Sequence, residues 1–569
     1  MSTTAPAEPA SGELTHRQIL VILAGLMGGM FLAALDLNIV ATAIRTISDD
    51  LNGLSLQAWA TTAYLITSTI TTPLYGKLSD LYGRRPLFIT AITLFIVGSL
   101  LSGMAQSMYQ LAGARAFQGL GAGGLFSLAL TIIGDIVPPR ERARYQGFFL
   151  AVFGTSSVLG PVIGGFLAGQ SNLLGISGWR WVFLINLPIG LAALAVVAKV
   201  LHIPHTRRDH KIDYPGALAL VVGLVPVLLI AEQGRQWGWL GGRAFICYAL
   251  GLIGFVSFLL AERRIGDDAL LPLRLFSGRT FSIGSLLNFV IGMGMFGGIA
   301  ALPLYMQIVK GKSPTQAGLL LLPLTLGIMV GSIVSGQMIS RTGRYKVFPI
   351  IGAFLLVTGV LLMSTFGTDT SLLVIDLFSA VFGLGLGFNM QPLVLAVQNA
   401  VPPRDMGVAT SSATFFRQMG GTLGTAVFLS VLFSTVGDRI RTAFGDAATT
   451  PAFQQALRDP AVIADPNNAP VLDALKGGVR ATDGVLTDSS FINALDPRLA
   501  RPFLDGFSSS ISTVFLLAAG VLSIALVAVF FLPEEKLRTQ SGIQARLSED
   551  GPAAAETADR GPDTRSAVT

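Results

Sequence analysis

Cysteine is almost absent from this 569-residue chain: Cys247 stands alone inside an apolar run, and histidine occurs only four times. Disulfide staples, zinc clusters and thiol catalysis therefore have no material to work with. No glycine-rich stretch ends in Gly-Lys-Ser/Thr and no group of metal ligands has usable spacing, which argues against ATP drive, a metal site and enzyme chemistry. No cofactor is expected. Charge is scarce too, with 13% of residues Asp, Glu, Lys or Arg.

What the chain has in quantity is hydrocarbon. Hydrophobic residues make up 51% and the mean hydropathy is +0.64, a composition that reads as an all-α polytopic membrane protein. Runs of about 18 or more apolar residues, enough to cross a bilayer, recur from Ile19 to Phe531. They divide into fourteen spans, at 18–44, 56–75, 87–107, 109–133, 147–168, 181–201, 214–233, 243–262, 280–306, 315–337, 347–367, 371–398, 406–434 and 507–532. The first run is too long for a cleaved signal peptide, so it is expected to remain as helix one.

Loop charge sets the expected sidedness. Alternate short loops carry Lys77, Arg84 and Arg85; Arg140, Arg142 and Arg144; Arg207, Arg208 and Lys211; Arg263, Arg264, Arg274 and Arg279; and Arg341, Arg344 and Lys346. The opposite loops hold far fewer. Basic residues near helix ends are retained inside, which places both termini in the cytoplasm and explains the net +6 as topology, not nucleic-acid binding.

The chain also repeats itself. Gly76, Gly83 and Arg84 of GKLSDLYGRR recur as Gly336, Gly343 and Arg344, 260 positions on, and VPPRER at 137–142 returns as VPPRDM at 401–406. Duplicated halves facing a central site are the pattern of an alternating-access carrier. The expected organisation is a cytoplasmic N-terminus (1–17), a six-helix bundle (18–201), an inserted helix pair with its linkers (202–279), a second six-helix bundle (280–532) and a disordered tail (533–569). Within the second bundle, 435–506 reads as a long extracytoplasmic loop with short surface helices.

Ionisable groups inside apolar spans cost about 2.5 to 3.5 kcal/mol each and so mark candidate functional positions. Asp36 in helix one and Arg115 in helix four fall at similar depth, counted at about 1.5 Å per residue. Asp36 reads as a carboxylate that takes up and releases a proton, with Arg115 as its relay partner or as a helix clamp. Arg417 in helix thirteen has no evident acidic partner, and both substrate contact and helix packing are open to it. Asn38, Gln118, Asn288, Asn389 and Gln391 are further candidates to line a largely apolar cavity, or to bond neighbouring helices. In the basic loop, Gly76 and Gly83 permit close approach and a tight turn, Asp80 caps or pairs at a helix end, and Arg84 and Arg85 hold the loop at the anionic leaflet. Such a loop serves as a latch on one face; Ser340 replaces Asp80 in the second copy. Gly154, Gly160, Pro161, Gly164 and Gly165 of helix five allow a close, pliant seam between the halves.

GKLSDLYGRRP (76–86) resembles the loop motif of the major facilitator superfamily, and RAFQGLGAGG (115–124) its helix-four motif. GTSSVLGPVIGG (154–165) is similar to the motif of its antiporters, while LDLNIVATAI (35–44) and WRWVFLINLPIG (179–190) look like its fourteen-helix drug:proton antiporter branch. The resemblance covers nearly all of residues 15–535. It implies the major facilitator fold, two six-helix bundles plus two inserted helices, working as a monomer in the plasma (bacterial inner) membrane. It implies export of small lipophilic or cationic drugs and antibiotics driven by proton entry, with Asp36 and Arg115 in proton coupling, Asp80 and Arg84 as latch, and Gly160, Pro161 and Gly164 as antiport seam. Export of lipids or envelope components guided by the 435–506 loop, and nutrient import, are the competing expectations. Helices ten and thirteen lack the extra carboxylates of relatives that handle dications, and Asp376 in helix twelve is a weak substitute.

Overall fold

The computed structural model describes residues 16–51, 56–201, 213–477 and 490–538. Among them fourteen long helices run as α1 (His16–Asp50), α2 (Gln57–Tyr82), α3 (Arg84–Gly103), α4 (Met108–Ile136), α5 (Pro139–Ala168), α6 (Asn186–Val200), α7 (Tyr214–Trp237), α8 (Gly242–Ile265), α9 (Arg279–Leu304), α10 (Leu322–Thr342), α11 (Val347–Met363), α12 (Leu372–Asn399), α13 (Met406–Ala448) and α14 (Pro497–Phe530). Helix is the form that satisfies every backbone polar group within one segment, as hydrocarbon demands. Eleven segments are long and apolar enough to cross a membrane. The other three are α2, diluted by hydroxyl residues, and α5 and α11, whose apolar stretches are shorter. Hydroxyls of α2 are accommodated by donating back to their own helix, Thr67 to Ala63 O, Thr71 to Thr67 O and Thr72 to Ser68 O, all at 2.8–2.9 Å.

Packing repeats with a shift of eight helices. In the first half α2 packs on α4, α3 on α4, α1 on α5, α1 on α6 and α3 on α6; the second half has α10 on α12, α11 on α12, α9 on α13, α9 on α14 and α11 on α14. The halves meet mainly through two contacts related the same way, α2 with α13 and α5 with α10, and α4 also touches α13 and α5 touches α12. The pair α7 and α8 packs on itself and leans α7 against α2 and α13.

Two expectations need correcting. In the 435–506 loop, of which 478–489 lie outside the described residues, α13 runs on to Ala448 and α14 starts at Pro497, so the loop is shorter than expected; short helices occupy Pro451–Ala456 and Ala469–Gly477, as expected, and also Pro460–Ala464. Charged residues such as Asp438, Arg439 and Arg441 end the apolar run without ending the helix, and Phe444 stacks edge-on with Phe453 and Phe503 to hold the extension in place. The start of the tail is seated, not disordered. Tyr345 Oη donates to Pro533 O at 3.1 Å and accepts from Glu535 N at 3.0 Å, while Asn399 bonds the backbone of Lys536 and Arg538. Residues 1–15, the basic linker with Arg207, Arg208 and Lys211, and 539–569 lie outside the described residues.

Candidate functional site

Asp36 and Arg115 come together in the first half. Arg115 Nη1 lies 2.5 Å from Asp36 Oδ2, and both side chains are fully buried. The other carboxylate oxygen accepts two amide bonds, from Gln118 Nε2 and Asn186 Nδ2, each 2.9 Å. Both amides also reach Ser99 Oγ, at 3.2 and 2.8 Å. Arg115 is fixed further by Ala60 O at 3.1 Å, Gln118 Oε1 at 2.8 Å and the Tyr64 ring, whose centroid is 4.2 Å away. Every polar hydrogen aimed at Asp36 suits its anionic form. The shell nevertheless keeps buried atoms without a hydrogen bond: Tyr64 Oη, Arg115 Nη2 and Asn186 Oδ1.

Gln118, placed among the cavity candidates, is thus a ligand of the carboxylate. Asn186, Ser99 and Tyr64 escaped the sequence reading; a lone amide in the apolar stretch WVFLINLPIG was the available signal.

On the face bearing the basic loops the two halves are clasped. Gly83, at φ 94°, makes the turn from α2 to α3 and drops Arg84 inward. Arg84 is 3% exposed and contacts Asp80 at 2.5 Å, Asp135 at 2.7 Å and Ser79 Oγ at 2.5 Å. It therefore does not sit at the leaflet surface; Arg85 also turns in and bonds Ala198 O at 2.6 Å. Asp80 reaches across to the start of α13, accepting from Gly407 N at 3.2 Å and Val408 N at 3.0 Å. A carboxylate on the free N–H groups of a helix start is favoured by hydrogen bonding and by the helix dipole. Gly76 makes the approach possible: a Cβ there would lie 1.9 Å from Ser411 Oγ of α13. Deeper in, Arg142 Nη1 donates to Gln398 Oε1 at 2.6 Å, Gln398 donates to Thr410 Oγ1 at 2.9 Å, and Thr72 bonds Gln418 at 3.2 Å.

The helix-five motif divides its contacts. Gly160 and Gly164 pack on α1, at Asn38 and at Thr42 and Ile39, inside the first half. Gly154 and Pro161 face the second half, at Thr325 and Gly318, and a Cβ on Gly165 would meet nothing within 4 Å. Contacts of this motif with the second half are thus made by Gly154 and Pro161, because Gly160 and Gly164 turn to α1 and Gly165 faces open space. Three cavity candidates donate to their own helices, Asn38 to Ala34 O, Asn288 to Gly284 O and Asn389 to Gly385 O, at 2.8–2.9 Å, though Asn389 Oδ1 stays buried without a partner. Gln391 keeps Oε1 buried without a partner, and Arg417 is half-buried with no hydrogen-bond or ion-pair partner among the described residues.

Duplicated halves, two related contacts between them and a buried ion pair inside one half define a polytopic membrane protein of the two-bundle kind. A model of the Major Facilitator Superfamily matches residues 26–425. The multidrug transporter protein MdtP of Bacillus subtilis (strain 168) is 38% identical over 428 residues, 75% of this chain and 77% of that protein. Multidrug resistance protein 3 of the same organism is 33% identical over 524 residues, 91% of this chain and 96% of its own. Among solved structures, the proton:xylose symporter XylE shares the fold with a TM-score of 0.56 at 15% identity, over 94% of this chain and 100% of that one. The chain belongs to the major facilitator superfamily.

Proposed function

We propose that the chain exports lipophilic drugs across the plasma membrane, exchanging them for protons that load on Asp36, with the basic-loop face in the cytoplasm. Relatives named for multidrug transport and resistance, aligned over most of their length, support drug efflux. One observation carries the coupling: a carboxylate with an arginine and two amides on it, fully buried in one half while the basic-loop face is clasped shut.

Protonation removes the charge that holds Arg115. The freed guanidinium is then a buried cation without a counter-ion, an arrangement the protein relieves by shifting α1 against α4. Tyr64 Oη and Asn186 Oδ1 offer new partners for that shift. The shift strains the clasp of Asp80 on α13, and the basic-loop face opens. One proton crossing 100 mV supplies about 2.3 kcal/mol, enough for about a fortyfold gradient of a neutral cargo.

The test is gradient-driven dye efflux in vesicles, wild type beside Asp36→Asn. Loss of driven flux with dye binding retained is the expected result; undiminished active efflux would reject the coupling role of Asp36.

A further inference from the structure

Asp405 stands where a helix is ordinarily capped, yet it does not cap. It directly precedes α13, and an aspartate in that position normally accepts from the N–H groups two and three residues on, with its own backbone extended. Here those donors are Gly407 N and Val408 N, and both are taken by Asp80 of the first half, at 3.2 and 3.0 Å. Asp405 makes no side-chain bond to them, and its backbone lies at φ −102°, ψ 10°, ending the short turn Pro403–Asp405 instead. The seat has no room for two carboxylates: a Cβ on Gly407 would already lie 2.6 Å from both Asp80 oxygens and from Arg84 Nη1.

What holds Asp405 off is the linker that follows the inserted helix pair. Arg274 Nη2 donates to both Asp405 oxygens, at 2.9 and 2.8 Å, and Arg274 Nε donates to Asp267 Oδ1 at 2.6 Å. Arg404 Nε is 3.7 Å from the same carboxylate, beyond hydrogen-bond reach, and its side chain is half exposed. The linker is itself fixed at several points. Leu270 N donates to Asp213 Oδ2 at 3.2 Å, Leu271 N to Glu262 Oε2 at 3.0 Å, and Lys77 Nζ of α2 to Asp267 O at 3.1 Å. Leu270, Leu271 and Leu275 are buried in one apolar cluster with Leu220 of α7, Phe258 of α8 and Val408 of α13. Arg274 is therefore delivered to Asp405 by a packed and hydrogen-bonded support.

We infer that Arg274 is a positioning residue of the gate: by holding Asp405 away from the start of α13, it reserves Gly407 N and Val408 N for Asp80. The inserted helices thereby gain a task, which is to carry that arginine. The two aspartates compete for one seat, and loss of Arg274 hands it to Asp405, which adjoins α13 in the chain and needs no approach of the other half. This gate role rests on the opening of the basic-loop face proposed above, and not on the cargo or on Asp36.

The experiment measures the width of that face. Full-length protein carrying Cys247→Ser receives spin labels at Tyr82→Cys and Arg344→Cys, both exposed and one in the basic loop of each half. Pulsed EPR in nanodiscs then gives the ratio of long, open distances to short, closed ones. Arg274→Ala should raise that ratio about tenfold, the size of one capping interaction, and Asp80→Ala should do the same. Arg274→Ala combined with Asp405→Ala should return to within about twofold of the parent, because the competitor is gone; an arginine that only stiffens the linker would not be rescued by deleting its own partner. The milder Arg274→Gln carries the same expectations if Arg274→Ala is not recovered folded. A face that opens with Asp80→Ala but stays closed with Arg274→Ala overturns the inference, as does a double variant as open as Arg274→Ala. A face that opens with neither substitution overturns it too, and counts against the proposed opening itself.

Discussion

At α4 the first half buries Arg115 and Gln118 around Asp36, whereas 264 positions on, the matching places of α12 hold Ser379 and Phe382. Phe382 packs on Gly298 of α9 and Gly359 of α11, filling with a ring the space that the first half gives to ions. The basic-loop face differs in the same sense. Arg84 is buried among Asp80, Asp135 and Ser79, but Arg344 is exposed with no ion pair among the described residues, and Ser340 merely bonds Gln337 O of its own helix. Asn399, the counterpart of Asp135, binds the backbone of the tail instead of an arginine. Duplication has kept the helix packing in both halves, while titratable chemistry is gathered in one. The second half supplies what that chemistry acts on at this face: the N-terminus of α13 as the seat of Asp80.

The sharpest way to break this contrast is to strand a charge in the first half. Arg115→Ala leaves Asp36 a buried anion without its cation and should cost about 3 to 5 kcal/mol. Thermal unfolding of the purified protein would show it, together with loss of driven efflux. Asp36→Asn combined with Arg115→Gln should recover most of the stability and none of the coupling. Ser379→Ala at the matching place of α12 should change neither by a comparable amount. A harmless Arg115→Ala would mean that the pair is incidental.

The clasp is the next test. Asp80→Ala removes the carboxylate from two backbone donors and from Arg84, and turnover should fall about tenfold with cargo affinity little changed, since the interaction of a carboxylate with a helix start is worth up to about 2 kcal/mol. Arg344→Ala in the second copy should change turnover less than about twofold, as an exposed charge contributes little. Similar losses from both substitutions would make the loops equivalent and dissolve the asymmetry.

A smaller effect is expected where the second half uses the tail. Tyr345→Phe deletes the hydroxyl bonded to Pro533 O and Glu535 N and should cost about 1 kcal/mol. Faster amide exchange at 534–538 with efflux intact would locate the loss in the strap. A drop in efflux as large as that of Asp80→Ala would instead make the strap part of the gate.

Asp36 and Arg115 were legible because a charge inside an apolar run has few innocent explanations. The two-half plan was legible because Gly76, Gly83 and VPPR recur at a nearly constant interval. Asn186, Ser99 and Tyr64 were not, since a neutral polar residue in an apolar helix looks the same whether it bonds a carboxylate or its own backbone. Asn38, Asn288 and Asn389 do the latter. The tail strap was hidden for another reason: it is built mainly from backbone groups at 533–538, which carry no sequence signature. The extensions of α13 and α14 were missed because hydropathy ends at the membrane edge while helical hydrogen bonding continues into water.

The outermost ion pairs supply the weakest contrast with the buried one. Arg498 contacts Asp459 at 3.0 Å and Asp496 at 3.0 Å, and its hydrogen bonds hold both carboxyls below the ordinary carboxylate range. A depressed folded-state pKa contributes stability that is present above the unfolded value, about 3.9 for Asp, and is lost as pH falls through the folded value. Hydrogen exchange of the short helices Pro451–Ala456 and Ala469–Gly477, corrected for intrinsic rates, should therefore be flat from pH 7 to about 5 and lose protection only below about 4. The change should be small, because exposed pairs contribute little and the packing of Phe444, Phe453 and Phe503 does not titrate. Protection already falling between pH 7 and 5 would show that other groups hold these helices, and complete loss near pH 4 would show that the ion pairs matter more than the aromatic cluster.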